Sequence, residues 1–371
     1  MKEALLYKKL PKKKVQCNVC QRRCIIANKK TGYCGTRYND NGKLYTLIYE
    51  IVSAINVDPI EKKPLFHFYP GTQVLSLGTL GCNFRCVNCQ NWEISYAQLN
   101  PTQQQLNSHV LTPQESIALA KKYHASGIAW TYNEPTIWLE YTLDSAKLAK
   151  KNNLYTVYVT NGFITPEALD MIGPYLDAFR VDIKSMNKKI CQKLAHINDF
   201  KNILSITKRA KEKWNMHVEL ITNIIPGYND NQKDLETIAQ WIKKELGADT
   251  PWHVTRFYPA AKLINLEPTP IKILEIAREI GLKNGLSFVY LGNVGMHKGE
   301  NTYCPKCGQL VIERTGYFTK MIGVKNGKCK YCQRDLNIIE KPKKIPNIIK
   351  TKNKNKKTKS NKTLRKQKIK K

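Results

Sequence analysis

The chain has 371 residues, 42% of them apolar, and a net charge of +32 from 61 Lys or Arg and 29 Asp or Glu. At roughly 150 residues per domain this length predicts two or three structural units, and the apolar content excludes a wholly disordered or fibrous chain. No run of 18 apolar residues occurs and the basic N-terminus has no apolar signal segment, so we expect a cytoplasmic protein with no membrane span and no export.

Eleven of the twelve cysteines fall into three tight groups, and only Cys191 stands alone. A disulfide framework is typical of short secreted chains, whereas this chain is long and carries no export signal. Metal binding is therefore the favoured interpretation of the three groups. Cys191 lies in a helix-like segment, where it is interpreted as a small buried apolar residue.

The first group has the spacing C-x2-C-x3-C-x9-C and supplies four thiolates: Cys17, Cys20, Cys24 and Cys34. Zinc at this site would stabilise a small fold, whereas iron and sulfide would form an auxiliary [4Fe-4S] cluster. Zinc is favoured because structural four-Cys zinc sites are common, but the sequence leaves both open. We assign residues 1–70 to an N-terminal four-Cys module and the segment that leads into the next domain.

The second group has the spacing C-x3-C-x2-C and supplies only three ligands: Cys82, Cys86 and Cys89. A [4Fe-4S] cube held by three thiolates keeps one iron available to another ligand. The alternative is a zinc site completed by a distant side chain. The cysteines follow directly after a strand-like run, VLSLGT, which favours the cluster.

Between residues 71 and 298, strand-like runs alternate with helix-like segments, and repeated β-then-α order predicts a parallel sheet. Seven runs are strand candidates: VLSLGT, GIAWTY, LYTVYVT, AFRVDIK, MHVELITNI, WHVTRF and LSFVYL. Three Thr-Pro pairs, at Thr112, Thr165 and Thr269, predict helix starts, and Glu115 completes a capping box with the first. Gly127 is interpreted as the stop of the first of these helices.

Polar residues recur where these strands end: Asn133, Glu134, Thr160, Asn161, Asp182 and Lys184. In a barrel the carboxyl ends of all parallel strands face one mouth. We therefore expect these side chains to meet the cysteine loop at one site, although each of them alone is equally consistent with a capping or surface role.

The third cysteine group reads C-x2-C, then 21 intervening residues, then C-x2-C: Cys304, Cys307, Cys329 and Cys332. Four thiolates close a tetrahedral shell, so a structural zinc site in a zinc-ribbon-like module over residues 299–340 is predicted. Residues 341–371 contain 15 Lys or Arg and no acid, which leaves +17 on the rest of the chain. This composition predicts a disordered Lys-rich tail that either contacts RNA or another polyanion or only increases solubility.

The run GCNFRCVNC at residues 81–89 resembles the cluster loop of radical S-adenosylmethionine (radical SAM) enzymes. Further motifs occur in the order found in the AmmeMemoRadiSam-system radical SAM proteins, which are relatives of pyruvate formate-lyase activating enzyme: YNEP at 132–135, VTNGF at 159–163, VDIK at 181–184, IIPGYND at 224–230 and YLGNVGMHKGENTYCPKCG at 290–308. The resemblance covers residues 17–332 and both four-Cys modules.

The resemblance implies an α/β fold, with a partial (β/α)6-type barrel over residues 71–298. It implies that Cys82, Cys86 and Cys89 hold the [4Fe-4S] cluster and that SAM binds beside it. The resemblance also implies the contacts to SAM. The Glu134 carboxylate would bind the SAM amino group, and the Asp-x-Lys pair, Asp182 and Lys184, would bind the amino acid end of SAM. Further cofactor contacts would come from Asn88, Asn133, Thr160 and Asn161.

Three positions depart from the relatives. Asn88 replaces an aromatic residue that packs beside the adenine, although its backbone is still able to bind there. Val159 replaces an Asp ahead of Thr-Asn-Gly, which argues against the cation site of the activating enzyme. His297, after Gly295 and Met296, stands where Pro-Gly-His is expected and is either a substrate contact or an ordinary loop residue.

The implied reaction begins with an electron from a reductant such as ferredoxin or flavodoxin. SAM is then cleaved to a 5′-deoxyadenosyl radical, which abstracts hydrogen from an unidentified substrate. An AmmeMemoRadiSam-type reaction on a small molecule, peptide or RNA, with Memo-like and AMMECR-like partner proteins, ranks above glycyl-radical-enzyme activation. The non-enzymatic alternative is a zinc-dependent nucleic-acid-binding protein, which would leave the three-Cys loop unexplained.

Overall fold

The computed structural model describes residues 1–101 and 108–340. Within them, short antiparallel strands build the N-terminal module: β1 (Lys2–Glu3), β2 (Tyr7–Leu10), β3 (Lys14–Cys17), β4 (Ile25–Ile26), β5 (Arg37–Asp40), β6 (Lys43–Thr46) and β7 (Ile51–Val52). They form two three-stranded sheets, β1-β6-β5 and β2-β3-β4. Asn41 and Gly42 connect β5 to β6 with positive φ at both positions, which is the tight hairpin that an Asn-Gly pair favours.

The central sheet has eight strands, seven of them parallel: β8 (Ala54–Pro59), β9 (Gln73–Gly78), β11 (Gly127–Trp130), β12 (Tyr155–Thr160), β13 (Ala178–Asp182), β14 (His217–Ile224), β15 (Trp252–Arg256) and β16 (Val289–Gly292). The strands follow chain order from β9 to β16, and β8 adds antiparallel to β9. A two-stranded pair joins β7 to β10 (His109–Val110). The seven predicted strands are therefore present, and the sheet already begins within the predicted lead-in, before residue 71.

The parallel strands are buried on both faces, which explains why they read as apolar runs without alternation. All six residues of β12 and all four of β11 are buried. The helices that cover the sheet are α1 (Trp92–Ser95), α2 (Pro113–Lys122), α3 (Leu139–Lys151), α4 (Pro166–Ile172), α5 (Lys188–Ala195), α6 (Lys201–Glu212), α7 (Gln232–Trp241) and α8 (Ile271–Lys283). Short 3-10 and π turns extend several of these connections.

Two of the three predicted helix starts are confirmed. Thr112 and Glu115 form the reciprocal capping box of α2, and the Thr165 hydroxyl accepts from the amide of Ala168 at 3.2 Å. The third start is one residue off, because the Thr269 hydroxyl donates to the Ile224 carbonyl at 2.6 Å instead of capping α8.

The interpretation of Gly127 as a helix stop is wrong. Helix α2 ends at Lys122, and Gly127 opens strand β11. A Cβ at this position would lie 2.0 Å from the ring of Tyr155 on the neighbouring strand, so close packing between strands requires the glycine.

A buried carboxylate lies at the end of the sheet where the parallel strands begin, which we call the floor of the sheet. Glu219 on β14 accepts from the backbone amides of Phe66 and His67 and from the rings of His217 and His253. Burial alone would raise the pKa of Glu219, but these donated hydrogen bonds hold it well below its usual value. The network anchors the segment between β8 and β9 to the floor of the sheet.

The C-terminal module packs on this floor. Its strands are β17 (Thr302–Tyr303), β18 (Leu310–Thr315), β19 (Phe318–Met321), β20 (Val324–Lys325) and β21 (Lys328–Cys329). Buried Arg314 donates to the carbonyls of Phe66 and Glu300, and Ile339 pairs with Phe68. Met1–Glu340 forms one compact unit, and none of its described helices is long and apolar enough to cross a membrane. The predicted Lys-rich tail lies outside the described residues.

His67 links the floor to the C-terminal module in its neutral form. Its Nδ1 lies 2.9 Å from the Leu336 carbonyl, which only accepts, so Nδ1 carries the proton and Nε2 accepts from the Tyr290 hydroxyl at 2.6 Å. Burial lowers the pKa of His67 to about 3. In the unfolded chain the His67 ring becomes protonated at about pH 6.5. The stability that neutral, folded His67 contributes is therefore present above pH 6.5 and is lost as the pH falls towards 3.

We therefore expect His67→Gln to flatten the acid side of the stability profile. Below pH 6.5 the wild type should lose about 1.4 kcal/mol of unfolding free energy per pH unit more than the variant. Urea unfolding of anaerobically purified protein between pH 8 and pH 5.5 measures this, with exposed His124→Gln as the control. Equal slopes for wild type and His67→Gln would contradict the assignment.

Candidate active site

The three-Cys loop follows β9 and is held in shape by its own backbone. The amide of Cys89 donates to the Cys86 carbonyl at 3.1 Å, and the guanidinium of Arg85 donates to the Cys82 carbonyl at 2.7 Å. Gly81 has φ +81°, and a Cβ there would lie 2.5 Å from the carbonyl oxygen of Cys34. The loop is therefore pressed against the N-terminal module, and only glycine fits at the contact.

All three cysteines line one cavity of about 720 Å³. The residues that follow or end strands from β9 to β16 line the same space: Asn88, Thr131, Asn133, Val159, Thr160, Asn161, Asp182, Lys184, Asn223, Thr255, Arg256 and Gly292. Because the loop after β9 and the end of β16 border one space, the two edges of the parallel sheet approach each other. The predicted convergence of strand ends on the cysteine loop is thus observed for every predicted residue except Glu134.

The three cysteines of the loop are free thiols, and Cys82 is buried while Cys86 and Cys89 are half-buried. Burial raises the pKa of Cys86 to about 11, so the free thiol resists ionisation and bound iron would favour the thiolate. Nearby, the side-chain oxygen of Asn88 is buried without a hydrogen-bond partner.

Glu134 lies behind the cavity wall instead of in it. Its fully buried carboxylate accepts from the Thr136 amide at 2.9 Å, the Thr160 hydroxyl at 2.7 Å and the Asn161 amide at 2.8 Å. Burial raises the pKa of Glu134, and these three donors oppose the rise. The contacts make it a positioning residue for the end of β12, and the contact with the SAM amino group that the resemblance implies stays a prediction.

Two asparagines use their side chains to position the loop. Asn133 accepts from the Thr79 amide at 3.2 Å and donates to the Gly81 carbonyl at 2.7 Å. Asn161 donates to the side-chain oxygen of Asn83 at 2.7 Å, and its Nδ2 lies 3.9 Å from the Cys82 sulfur. Strand ends β11 and β12 therefore fix the loop that carries the cysteines.

A charged triad faces the cysteines from β13. Asp182 accepts from Arg180 at 2.7 Å and from Lys184 at 3.2 Å. Burial opposes ionisation of Asp182, but the two cations lower its pKa overall. Burial also works against the Lys184 charge, yet Asp182 and the Cys86 thiol raise the pKa of Lys184 above its usual value. The triad therefore keeps both Asp182 and Lys184 ionised.

Several cavity residues were missed from the sequence. Asn223 and Arg256 end β14 and β15, and the same rule of polar strand ends could have found them. Lys63 and Tyr258 also line the cavity but lie outside strands. Lys63 is buried against Asp58 at 2.6 Å, and burial lowers its pKa to about 8. Only the folded arrangement of the segment before β9 brings Lys63 here.

His297 does not line this cavity. Its Nδ1 accepts from the Gly299 amide at 2.9 Å and caps the short helix Lys298–Glu300, while its Nε2 lies 3.4 Å from Glu275. The structure therefore supports the loop interpretation of His297. Val159, in contrast, faces the cavity and offers no ligand atom.

The two four-Cys groups occupy separate places. In the C-terminal module Cys304 and Cys332 lie 3.5 Å apart and Cys307 and Cys329 lie 3.7 Å apart, so all four converge on one point that could hold a metal ion. In the N-terminal module Cys17, Cys20, Cys24 and Cys34 line a small cavity of their own. Cys191 is buried, as predicted, and its thiol also donates to the Ser185 carbonyl.

Comparisons with known proteins identify what this chain is similar to. The profile of the radical SAM superfamily matches residues 77–242. An uncharacterized protein of Methanocaldococcus jannaschii, MJ0808, is 44% identical over 344 residues, which are 91% of this chain and 100% of MJ0808. Pyruvate formate-lyase 1-activating enzyme of Escherichia coli is 23% identical over 168 residues, 44% of this chain and 65% of that enzyme. A radical SAM methyltransferase structure from Sphaerobacter thermophilus has a TM-score of 0.47 at 16% identity, covering 66% of this chain and 71% of the other.

The match to the radical SAM superfamily, together with a three-Cys loop at the ends of a parallel sheet, supports an enzyme of the radical SAM class. The chain belongs to the same family as MJ0808, and its residues 77–242 belong to the radical SAM superfamily. This membership implies a [4Fe-4S] cluster and SAM, and the spacing of the three cysteines around the cavity is compatible with both.

Glu134→Gln should destabilise the end of β12 without changing any cysteine. One amide nitrogen would replace an accepting oxygen and leave a buried backbone N–H of Thr136 or Asn161 unpaired. We expect a loss of about 1.5–3 kcal/mol of unfolding free energy. Thermal unfolding measures it, with exposed Glu93→Gln as the matched control. A variant as stable as the wild type would show that the carboxylate does not hold this strand end.

Proposed function

We propose that this chain cleaves SAM reductively and abstracts hydrogen from a substrate held in the 720 Å³ cavity. The observation that carries the proposal is the meeting of three cysteines with the Asp182–Lys184 pair in one cavity. When bound, the [4Fe-4S] cluster would supply the electron that cleaves SAM to a 5′-deoxyadenosyl radical. A reduced ferredoxin or flavodoxin is the proposed electron source.

The chain's own residues would bind and orient SAM. Lys184 would neutralise the SAM carboxylate and Asp182 would accept from its ammonium group. The backbone of Asn88, beside the third cysteine, would contact the adenine. Thr160 and Asn161 line the same wall and are held there by Glu134.

The charge of the cavity supports a substrate with an anionic group. Five cations line it, namely Lys62, Lys63, Arg180, Lys184 and Arg256, against three acids, Glu61, Asp182 and Glu300. Arg256 donates to the Thr269 carbonyl and to the Tyr258 hydroxyl, both of which are uncharged acceptors. Its charge is therefore available to a ligand.

The proposed reaction is of the AmmeMemoRadiSam type, on a small molecule, peptide or RNA, with Memo-like and AMMECR-like proteins as partners. Two four-Cys modules packed around the barrel support this assignment. Glycyl-radical-enzyme activation is the second candidate, which the similarity to the Escherichia coli activating enzyme favours. For the C-terminal cysteines we propose structural zinc, because Zn–S bonds of about 2.3 Å in a tetrahedron place the sulfurs about 3.8 Å apart.

Quantitation of 5′-deoxyadenosine tests the proposed reaction. Anaerobically reconstituted protein with SAM and dithionite should form the nucleoside, whereas Cys86→Ala should form none, because the cluster loses one of its three ligands. Cys191→Ala, which changes the lone cysteine, should match the wild type. Equal yields from wild type and Cys86→Ala would refute the proposal.

Lys184→Gln tests the SAM contact. Loss of a charge-assisted hydrogen bond of about 1.5–3 kcal/mol should weaken SAM binding roughly 10- to 150-fold. Equilibrium titration of the reconstituted protein with SAM measures this, and exposed Lys188→Gln should bind like the wild type. Unchanged affinity in Lys184→Gln would assign the lysine only to its ion pair with Asp182.

A further inference from the structure

The two four-Cys groups differ in the space between their sulfurs. The C-terminal sulfurs lie 3.5 and 3.7 Å apart across the two knuckles, close to the about 3.8 Å of a tetrahedral zinc site. No three sulfurs of the N-terminal group lie within 4.8 Å of one another, since over the described ranges only the C-terminal group meets that condition. The N-terminal sulfurs therefore lie farther apart than those of the C-terminal group.

The N-terminal cysteines nevertheless surround one common space. Cys17, Cys20, Cys24 and Cys34 line one small cavity, and apolar side chains such as Val19, Ile26 and Ile137 complete much of its wall. In a [4Fe-4S] cube each thiolate binds a different corner iron, which separates the sulfurs by about 6 Å. Four converging but widely spaced cysteines fit such a cube.

Two buried donors in this wall have no partner. Arg37 is only 2% exposed and pairs with Glu140 through both terminal nitrogens, yet its Nε–H has no hydrogen-bond partner. The amide nitrogen of Asn83 is likewise buried and unpartnered. Both residues line the cavity. An unpaired buried donor is costly, and N–H···S hydrogen bonds to a cluster would satisfy both.

We infer that Cys17, Cys20, Cys24 and Cys34 hold a second [4Fe-4S] cluster, in place of the zinc that the sequence favoured. Its cavity borders the three-Cys loop directly. Asn83 follows Cys82 in the chain and lines the second cavity, and Asn161 connects Asn83 to the Cys82 sulfur. The second cluster is thus placed for electron exchange with the site at which SAM would be cleaved.

Metal analysis of a variant that lacks the first cluster tests this inference independently of SAM chemistry. The triple variant Cys82→Ala, Cys86→Ala, Cys89→Ala leaves the N-terminal module intact. After anaerobic reconstitution of the full chain we expect about four iron and four sulfide per chain, and about one zinc from the C-terminal site. The dithionite-reduced protein should show the EPR signal of a [4Fe-4S] cluster.

Adding Cys20→Ala to the triple variant should remove the remaining cluster, whereas adding Cys191→Ala should leave it. About two zinc and no iron in the triple variant would overturn the inference, as would iron that persists after Cys20→Ala. An N-terminal group that binds neither metal would overturn it as well. The triple variant retains all four N-terminal cysteines. Its metal content therefore reports on an N-terminal module whose cysteines are unchanged.

Discussion

The common direction of seven strands is the constraint on which this molecule depends. Parallel strands all end at one edge, so the polar residues that follow them are brought to the same place without being close in sequence. The three-Cys loop follows the first of these strands, and Gly292 ends the last, yet both border one cavity. The chemistry proposed for the cavity needs this geometry, because the cysteines and the Asp182–Lys184 pair come from different strands.

Each end of the sheet is organised by a buried carboxylate. At the floor, Glu219 collects two backbone amides and two histidines, and the same segment receives Arg314 and Ile339 from the C-terminal module. At the mouth, Glu134 is equally buried but holds the end of β12 beside the cysteine loop. Each carboxylate is stabilised by the hydrogen bonds that it accepts in the folded protein. Both therefore position the backbone segments that donate to them.

The N-terminal module packs against the cysteine loop that lines the active-site cavity. Gly81 contacts the Cys34 carbonyl, and Arg22 donates to the Asn83 carbonyl at 2.6 Å. These contacts therefore help to fix the loop that carries Cys82. They bring together two cysteine groups that lie about fifty residues apart in the sequence.

The sequence by itself determined the three cysteine groups, the seven strands and most of the strand-end residues, because spacing, apolar runs and Thr-Pro pairs are local signals. Lys63 and Arg180 could not be found in this way, since neither has a local pattern that points to a cavity. The role of Glu134 and the spacing of the N-terminal sulfurs also required the fold. Whether a carboxylate faces a ligand or a backbone amide, and whether four thiols surround an ion or a larger cluster, depends on distances between distant segments that only tertiary packing decides.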